Sequence, residues 1–107
     1  MSGALACLLV LAPSASAQTS KIPRGYYSCL RIIDGQFYYP DSVKIVDADT
    51  YRVDLGRRVR YAYDPETGRI KFVSGPYRKY FGEYSQSETA FRVYSKKTGR
   101  LYVTCDR

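Results

Sequence analysis

The residues that could carry chemistry in this chain are few and poorly matched to catalysis. The 107-residue sequence contains no histidine, which removes the base of Ser-His and Cys-His systems and a common zinc ligand. The carboxylate pairs Asp47/Asp49 and Asp64/Glu66 lie in turn-forming segments, where such side chains bind their own backbone. Asp47-Ala-Asp49 also lacks the glycine and the bidentate glutamate of a calcium loop. The sequence therefore predicts a protein that is not an enzyme and has no metal site and no cofactor.

Cationic residues and tyrosines are abundant enough to form binding surfaces. Seventeen Lys and Arg outnumber ten Asp and Glu, which gives a formal net charge of +7, and every charged residue lies at or after Lys21. The chain has twelve tyrosines, four phenylalanines and no tryptophan. Tyr and Arg are enriched at protein interfaces, and a cationic surface attracts acidic partners. The composition thus favours binding over catalysis.

The first 17 residues have the layout of a secretory signal peptide. Residues 4–12 form an apolar run, Pro-Ser at 13–14 interrupts it, and Ala-Ser-Ala at 15–17 matches a cleavage site. The run is too short to span a bilayer. No cation precedes it, which leaves a retained anchor as the alternative to a cleaved signal. We expect a signal peptide over 1–17, a single β domain over 18–107, and a secreted or periplasmic, cell-envelope location.

Removal of the signal leaves Cys29 and Cys105, one near each end of the domain. An even number of cysteines in an exported chain predicts a disulfide, with two buried free thiols as the alternative. Since bridged Cα atoms must lie close together, the first and last strands would be neighbours or would face each other across a thin core.

Apolar and polar residues alternate along the domain, which predicts β-strands. Strands are expected at 26–33, 43–47, 51–55, 59–63, 70–72, 91–93 and 101–105. Turn-forming residues separate them, among them Asp34-Gly35, Gly82 and the repeated Thr-Gly-Arg at 67–69 and 98–100. We predict an all-β fold, a small antiparallel barrel or sandwich of seven to eight strands, and an up-and-down meander closed by the disulfide satisfies the pattern most simply.

The alternation also assigns side chains to the two faces of the sheet. The residues predicted to face inward are Tyr51, Val53, Leu55, Val59, Tyr61, Tyr63, Ile70, Phe72, Phe91, Val93, Leu101 and Val103. The residues predicted to form an outward cationic face are Lys44, Arg52, Arg58, Arg60, Lys71 and Arg92. A slip of one residue would reverse every assignment on a strand, so each is a strict prediction.

Several short motifs of glycine, aromatic residues and cysteine extend over about residues 25–105. They are Gly25-Tyr-Tyr-Ser-Cys29, Tyr61-Ala-Tyr63, Gly68-Arg-Ile-Lys-Phe72, Gly75-Pro76-Tyr77, Gly82-Glu-Tyr84 and Tyr102-Val-Thr-Cys105. Together they resemble a diffuse group of small secreted bacterial β-proteins of unassigned function. Because the motifs are structural, the resemblance implies the fold and the disulfide and transfers no activity.

The segment 34–42 lies outside that resemblance and carries three aromatic residues in succession before Pro40. We predict a loop here that contacts a partner. Its site residues are Phe37, Tyr38 and Tyr39, together with Arg31 and the turn residues Tyr77 and Arg78. The alternative is that the loop folds over a barrel mouth as a plug.

The function predicted from the sequence is that of a non-enzymatic, secreted or periplasmic interaction module. It would be an accessory or structural subunit that binds a larger envelope protein assembly or an anionic envelope polymer through Tyr and Arg surfaces. Export disfavours nucleic acid as a partner, and membrane contact would be peripheral or through a retained N-terminus. The alternatives are a lipocalin-like carrier of a small apolar ligand and a secreted inhibitor. The large inward side chains favour the module over the carrier.

Overall fold

The computed structural model of the chain describes residues 21–107, whose regular structure is entirely β-strand. The strands are β1 (Gly25–Ile33), β2 (Gln36–Ile45), β3 (Thr50–Val53), β4 (Val59–Asp64), β5 (Arg69–Phe72), β6 (Tyr80–Ser85), β7 (Ala90–Ser95) and β8 (Leu101–Asp106). Each strand pairs antiparallel with the next, and β8 pairs with β1, so the sheet closes into an up-and-down barrel. The predicted all-β barrel is confirmed. The predicted signal peptide over 1–17 lies outside the described residues.

The disulfide joins the first and last strands, as predicted. Cys29 of β1 lies directly opposite Cys105 of β8, and the two buried side chains are bonded. The ladder between these strands has only three residue pairs, so the covalent bond stabilises a short closing contact. Such a bond is compatible with an oxidising compartment outside the cytoplasm.

Large side chains fill the barrel interior. Of the residues predicted to face inward, seven are buried: Tyr51, Tyr61, Ile70, Phe72, Phe91, Val93 and Val103. The ring of Phe72 packs against Tyr51 and Tyr77, with centroids 5.2 and 5.3 Å apart, and Tyr27 packs against Phe91 at 5.2 Å. An eight-stranded barrel has an interior just wide enough for its own side chains.

Two of the residues predicted to face inward do not. Leu55 is 93% exposed because β3 ends at Val53, and Asp54, with a φ of 52°, turns the chain away from the barrel. Leu101 is 50% exposed because it begins β8, beyond the point where β1 pairs with that strand. The remaining three, Val53, Val59 and Tyr63, are half-buried against the core.

The predicted strands do not include β6 (Tyr80–Ser85), because a glycine at position 82 is typical of a turn. Gly82 instead lies in the middle of β6, buried opposite Ile70 of β5. A Cβ atom at this position would lie 3.2 Å from the Cβ of Ile70. The glycine therefore marks a close approach of a side chain to the strand and not a chain reversal.

The segment predicted as a loop over 34–42 belongs mainly to β2 (Gln36–Ile45). Asp34 and Gly35 have φ values of 51° and 79°, as required by a two-residue hairpin turn, and they bring Ile33 opposite Gln36. The loop prediction was wrong. The aromatic run before Pro40 does not alternate apolar with polar residues, so the pattern does not indicate the strand that forms there. The proline is tolerated because the register with β1 shifts beside it and no β3 residue pairs there.

The two Thr-Gly-Arg segments form matching hairpin turns, as predicted. Gly68 and Gly99 have φ values of 80° and 74°, which favour glycine. Their amides donate to the carbonyl oxygens of Asp64 and Ser95, each at 2.8 Å. The repeat therefore reflects shared turn chemistry.

Candidate binding surface

The topology gives the barrel two ends of different composition. The hairpin end is formed by the projecting part of the β1–β2 hairpin, by three connections and by the first residue of β8, which together comprise residues 31–40, 54–58, 73–79 and 96–101. The opposite end is formed by the other three connections, by the strand residues next to them and by the two ends of the described chain. It comprises residues 21–24, 46–49, 64–68, 86–89 and 106–107.

Exposed apolar side chains are concentrated at the hairpin end. Of the nine large hydrophobic side chains exposed within residues 21–107, eight lie there, whereas Tyr26 lies on the barrel wall. Phe37 and Tyr39 are each 65% exposed and Tyr38 is 46% exposed. The other five are Ile32, Ile33, Leu55, Val73 and Leu101. Exposed apolar surface of this kind is common at sites that contact other molecules.

Charge divides between the two ends as well. At the hairpin end eight Lys and Arg occur with two Asp, whereas at the opposite end three occur with six carboxylates. The cations of the hairpin end are Arg31, Arg57, Arg58, Arg78, Lys79, Lys96, Lys97 and Arg100. This excess of cations gives the hairpin end a more positive electrostatic potential than the opposite end.

The β1–β2 hairpin projects from the barrel, and every residue from 31 to 40 is exposed. It does not fold over the barrel mouth, so the alternative of a plug is wrong. Sequence reasoning placed Phe37, Tyr38 and Tyr39 at this site but missed Ile32 and Ile33, which it assigned to an ordinary strand. The adjacent apolar pair beside Asp34-Gly35 was the available signal, because consecutive strand residues face opposite sides.

Tyr77 is a core residue and not the surface contact that was predicted. Its side chain is 2% exposed, and its hydroxyl donates to Asp41 Oδ2 at 2.6 Å. Its amide donates to the Tyr51 hydroxyl at 3.3 Å. The β5–β6 connection thus inserts this ring to close the hairpin end, while the neighbouring Arg78 remains exposed.

Five of the six cations predicted to form one face lie on or beside the adjacent strands β2 to β5, and Arg92 lies apart from them on β7. Lys44 and Arg52 are cross-strand neighbours on β2 and β3, whereas Lys71 lies on β5 and Arg92 on β7. Closure of the sheet turns successive strands around the barrel, so their outward side chains point in different directions. Arg58 is the member that falls within the hairpin end.

Exposure differs among the same cations. Arg60 and Lys71 are exposed, as predicted. The side chain of Arg92 is 38% exposed, and its Nη2 lies 3.1 Å from Glu88 Oε1. An ion pair at a partly exposed position contributes about 0–1 kcal/mol.

The carboxylates considered for catalysis have structural roles in turns. Asp47 Oδ1 accepts hydrogen bonds from the Thr50 hydroxyl at 2.6 Å and from the Asp49 amide at 3.2 Å, and these bonds lower the pKa of Asp47. Asp64 Oδ1 accepts from the Glu66 amide at 3.0 Å.

Residues 21–107 contain no group of three or more His, Cys, Asp or Glu side chains that could hold a metal ion. Within the same range, no helix has the length and apolarity needed to cross a bilayer.

Three buried tyrosines should make the fold sensitive to alkaline pH. Burial raises the pKa of Tyr51 to about 12, and burial is also the main cause that raises the pKa of Tyr61 and of Tyr77. A tyrosine of the unfolded chain ionises at about pH 10. The folded state therefore binds these three protons more tightly than the unfolded state does. Their contribution to stability is complete below that pH and is lost as the pH rises through the folded pKa values. We expect cooperative unfolding above about pH 10, measured by circular dichroism and phenolate absorbance.

The control for this prediction is Tyr51→Phe, which removes one of the three linked protons. The variant should lose stability less steeply with pH than the native chain, although it also loses the hydrogen bond from the Tyr51 hydroxyl to the Ser74 carbonyl. Full ionisation of the tyrosines while the circular dichroism remains native would contradict the prediction.

Fold and surface together define a disulfide-closed, eight-stranded, up-and-down β-barrel with an aromatic interior and one end that is both apolar and cationic. Comparison with protein-family models, with curated proteins and with solved structures finds no match to this chain.

Proposed function

We propose that this chain is a non-enzymatic interaction module of the cell envelope or the exterior, which docks through its hairpin end onto an acidic surface of a larger protein assembly. The observation that carries the proposal is the coincidence of exposed apolar side chains and cations at one end of the barrel. Apolar side chains supply contact area, and the surrounding cations select a partner of opposite charge.

The packed interior argues against a carrier of a small apolar ligand. A carrier needs free volume inside the barrel, whereas here the rings of Tyr51, Phe72 and Tyr77 contact one another across the interior. A secreted inhibitor would use the same hairpin end, and it differs only in that the captured partner would be an enzyme whose activity falls on binding.

Replacing Tyr38 and Tyr39 together by serine tests the proposal. Because both rings are exposed, we expect the free energy of unfolding to change by less than about 1 kcal/mol. Capture of envelope proteins by the immobilised chain should fall at least about tenfold, because the variant loses two aromatic contacts. Quantitative mass spectrometry of the captured proteins, with urea unfolding in parallel, makes the measurement.

The matched control is Tyr26→Ser. Tyr26 is 67% exposed, almost the same as Tyr39, but it lies on the barrel wall away from the hairpin end. Capture by this variant should equal that of the native chain and should weaken with added salt in the same way. Equal losses in both variants, or no loss in the double variant, would overturn the proposal.

A further inference from the structure

The barrel wall is open along the seam where its first and last strands meet. The β1–β8 ladder stops at Leu30 opposite Thr104. Toward the hairpin end β1 continues to Ile33, and β8 begins at Leu101, yet these parts do not pair. Between them lies a cleft of about 290 Å³, here named the seam cleft, which is lined by residues 30–33 of β1 and by Leu101, Tyr102 and Thr104 of β8.

Irregularities in the neighbouring strands account for the opening. In β2 an extra residue falls between Asp41, opposite Cys29, and Tyr38, opposite Arg31. On the other side of the seam the β7–β8 register shifts between Val93 and Tyr94. Bulges bend a strand and terminate regular pairing, so the opening is part of the fold.

Among residues 21–107, no strand pairs with the edge of β1 that the seam cleft presents. The two-residue turn makes Ile33 and Gln36 the hydrogen-bonded pair that closes the hairpin. Because hydrogen-bonding directions alternate along an antiparallel strand, the amide and carbonyl of Ile32 point away from β2 and into the seam cleft. A strand edge of this kind can pair with an extended segment of another protein.

Cations and aromatic rings surround this edge. Arg31 lies over the ring of Tyr102, with its Cζ atom 5.0 Å from the centroid, and Tyr80 stacks on that ring at 4.9 Å. A second cleft of about 320 Å³ adjoins the first, since both are lined by Arg31, Leu101 and Tyr102, and it adds Arg100. No Asp or Glu lines either cleft.

We propose that the seam cleft binds an extended acidic segment of the partner protein, which adds a short strand along β1. This inference rests on the proposed function and specifies how the hairpin end holds its partner. The segment would pair with the main chain of Ile32, and its carboxylates would contact Arg31 and Arg100. The free edge from Arg31 to Ile33 accommodates about three to four residues at roughly 3.3 Å per residue.

An anionic bilayer fits the hairpin end less well than an acidic peptide does. The most projecting residues of the hairpin are Asp34, Gly35 and Gln36, so insertion of the hairpin would carry a carboxylate into the lipid first. The seam cleft lies behind that tip and is lined by Arg31 but by no carboxylate, and the nearby Asp41 is hydrogen-bonded to the hydroxyl of Tyr102 at 3.4 Å.

The experiment selects a displayed library of random peptides, each about ten residues long, against the full chain. We expect enriched sequences in which acidic and apolar residues alternate and proline is absent. A synthetic peptide of the enriched sequence should bind at least about tenfold more weakly to Arg31→Gln/Arg100→Gln. It should bind almost equally well to the control Arg57→Gln/Arg58→Gln, which removes two cations of the hairpin end that line neither cleft.

Two further measurements test the strand geometry. N-methylation of the set of alternate amides that faces β1 should abolish binding, N-methylation of the other set should not, and the peptide should slow hydrogen exchange at the Ile32 amide. Enrichment of basic or proline-rich peptides, no enrichment, equal loss in the control, or undiminished binding of both N-methylated peptides would each overturn the inference. Binding to phosphatidylcholine–phosphatidylglycerol vesicles without binding of any peptide would overturn it in favour of a membrane.

Failure of this inference can be told apart from failure of the proposed function. If the peptide tests fail while Tyr38→Ser/Tyr39→Ser still loses capture, the hairpin end docks on its partner by a mode other than strand addition. If capture is also unchanged in that double variant, the proposed function fails as well.

Discussion

Replacing Cys29 and Cys105 together by alanine is expected to lower the free energy of unfolding by up to about 4.5 kcal/mol. The bond joins residues separated by 76 positions, so it restricts nearly the whole described chain in the unfolded state. A barrel of this size gains only modest stability from its core, so the loss would be a large share of the total. Urea unfolding of the native and double-variant chains measures the difference.

Reduction of the native chain, without substitution, is the control. It breaks the cross-link but leaves both buried sulfur atoms in place, so it separates the loss of the covalent bond from the loss of packing. Identical unfolding midpoints for the oxidised and reduced chains would contradict the prediction. Alkylation that labels both cysteines of the folded protein without reductant would show that no bond forms.

Replacing Phe72 by alanine is expected to cost about 3–5 kcal/mol of unfolding free energy. The side chain is 4% exposed and contacts the rings of Tyr51 and Tyr77. Because those rings are themselves hydrogen-bonded, to Ser74 and Asp41, they cannot easily collapse into the cavity. Urea unfolding followed by tyrosine fluorescence measures the loss.

The same substitution at Phe37 is the matched control, because it removes the same atoms from a side chain that is 65% exposed. We expect Phe37→Ala to change the free energy of unfolding by less than about 1 kcal/mol. Similar losses at the two positions would mean that Phe37 is packed in the folded protein. In that case the exposed apolar surface of the hairpin end would not exist.

Local pattern was sufficient to predict the fold class and seven of the sixteen hydrophobic residues that are buried in the described chain. Alternation placed Tyr51, Ile70, Phe72 and Phe91 inside correctly because a half-buried strand must present its apolar side chains to one face. Leu55 fits the same alternation but lies past the end of its strand. Where a strand ends depends on pairing with its neighbour, which the alternation does not report.

The candidate site was only partly predictable. The aromatic run of Phe37, Tyr38 and Tyr39 is visible in the sequence as an anomaly, and the structure leaves these rings exposed. Tyr77 also lies in an aromatic, turn-like segment, but it is buried and its hydroxyl is hydrogen-bonded to Asp41. Because Asp41 lies 36 residues earlier in the chain, no local pattern reveals this contact. Only contact across the barrel distinguishes an exposed tyrosine from one that closes a barrel end.

By itself, the sequence determined the strand-forming character of the domain, the cysteine pair and the net positive charge, because alternation, residue identity and charge are properties of the chain itself. Only the tertiary structure decided that one end gathers the exposed apolar side chains with eight cations, and that the seam opens beyond Leu30 and Thr104. Which connections share an end depends on the number and direction of all the strands. Where the seam opens depends on the register shifts in β2 and β8, since each ladder ends where its two strands can no longer align their hydrogen bonds.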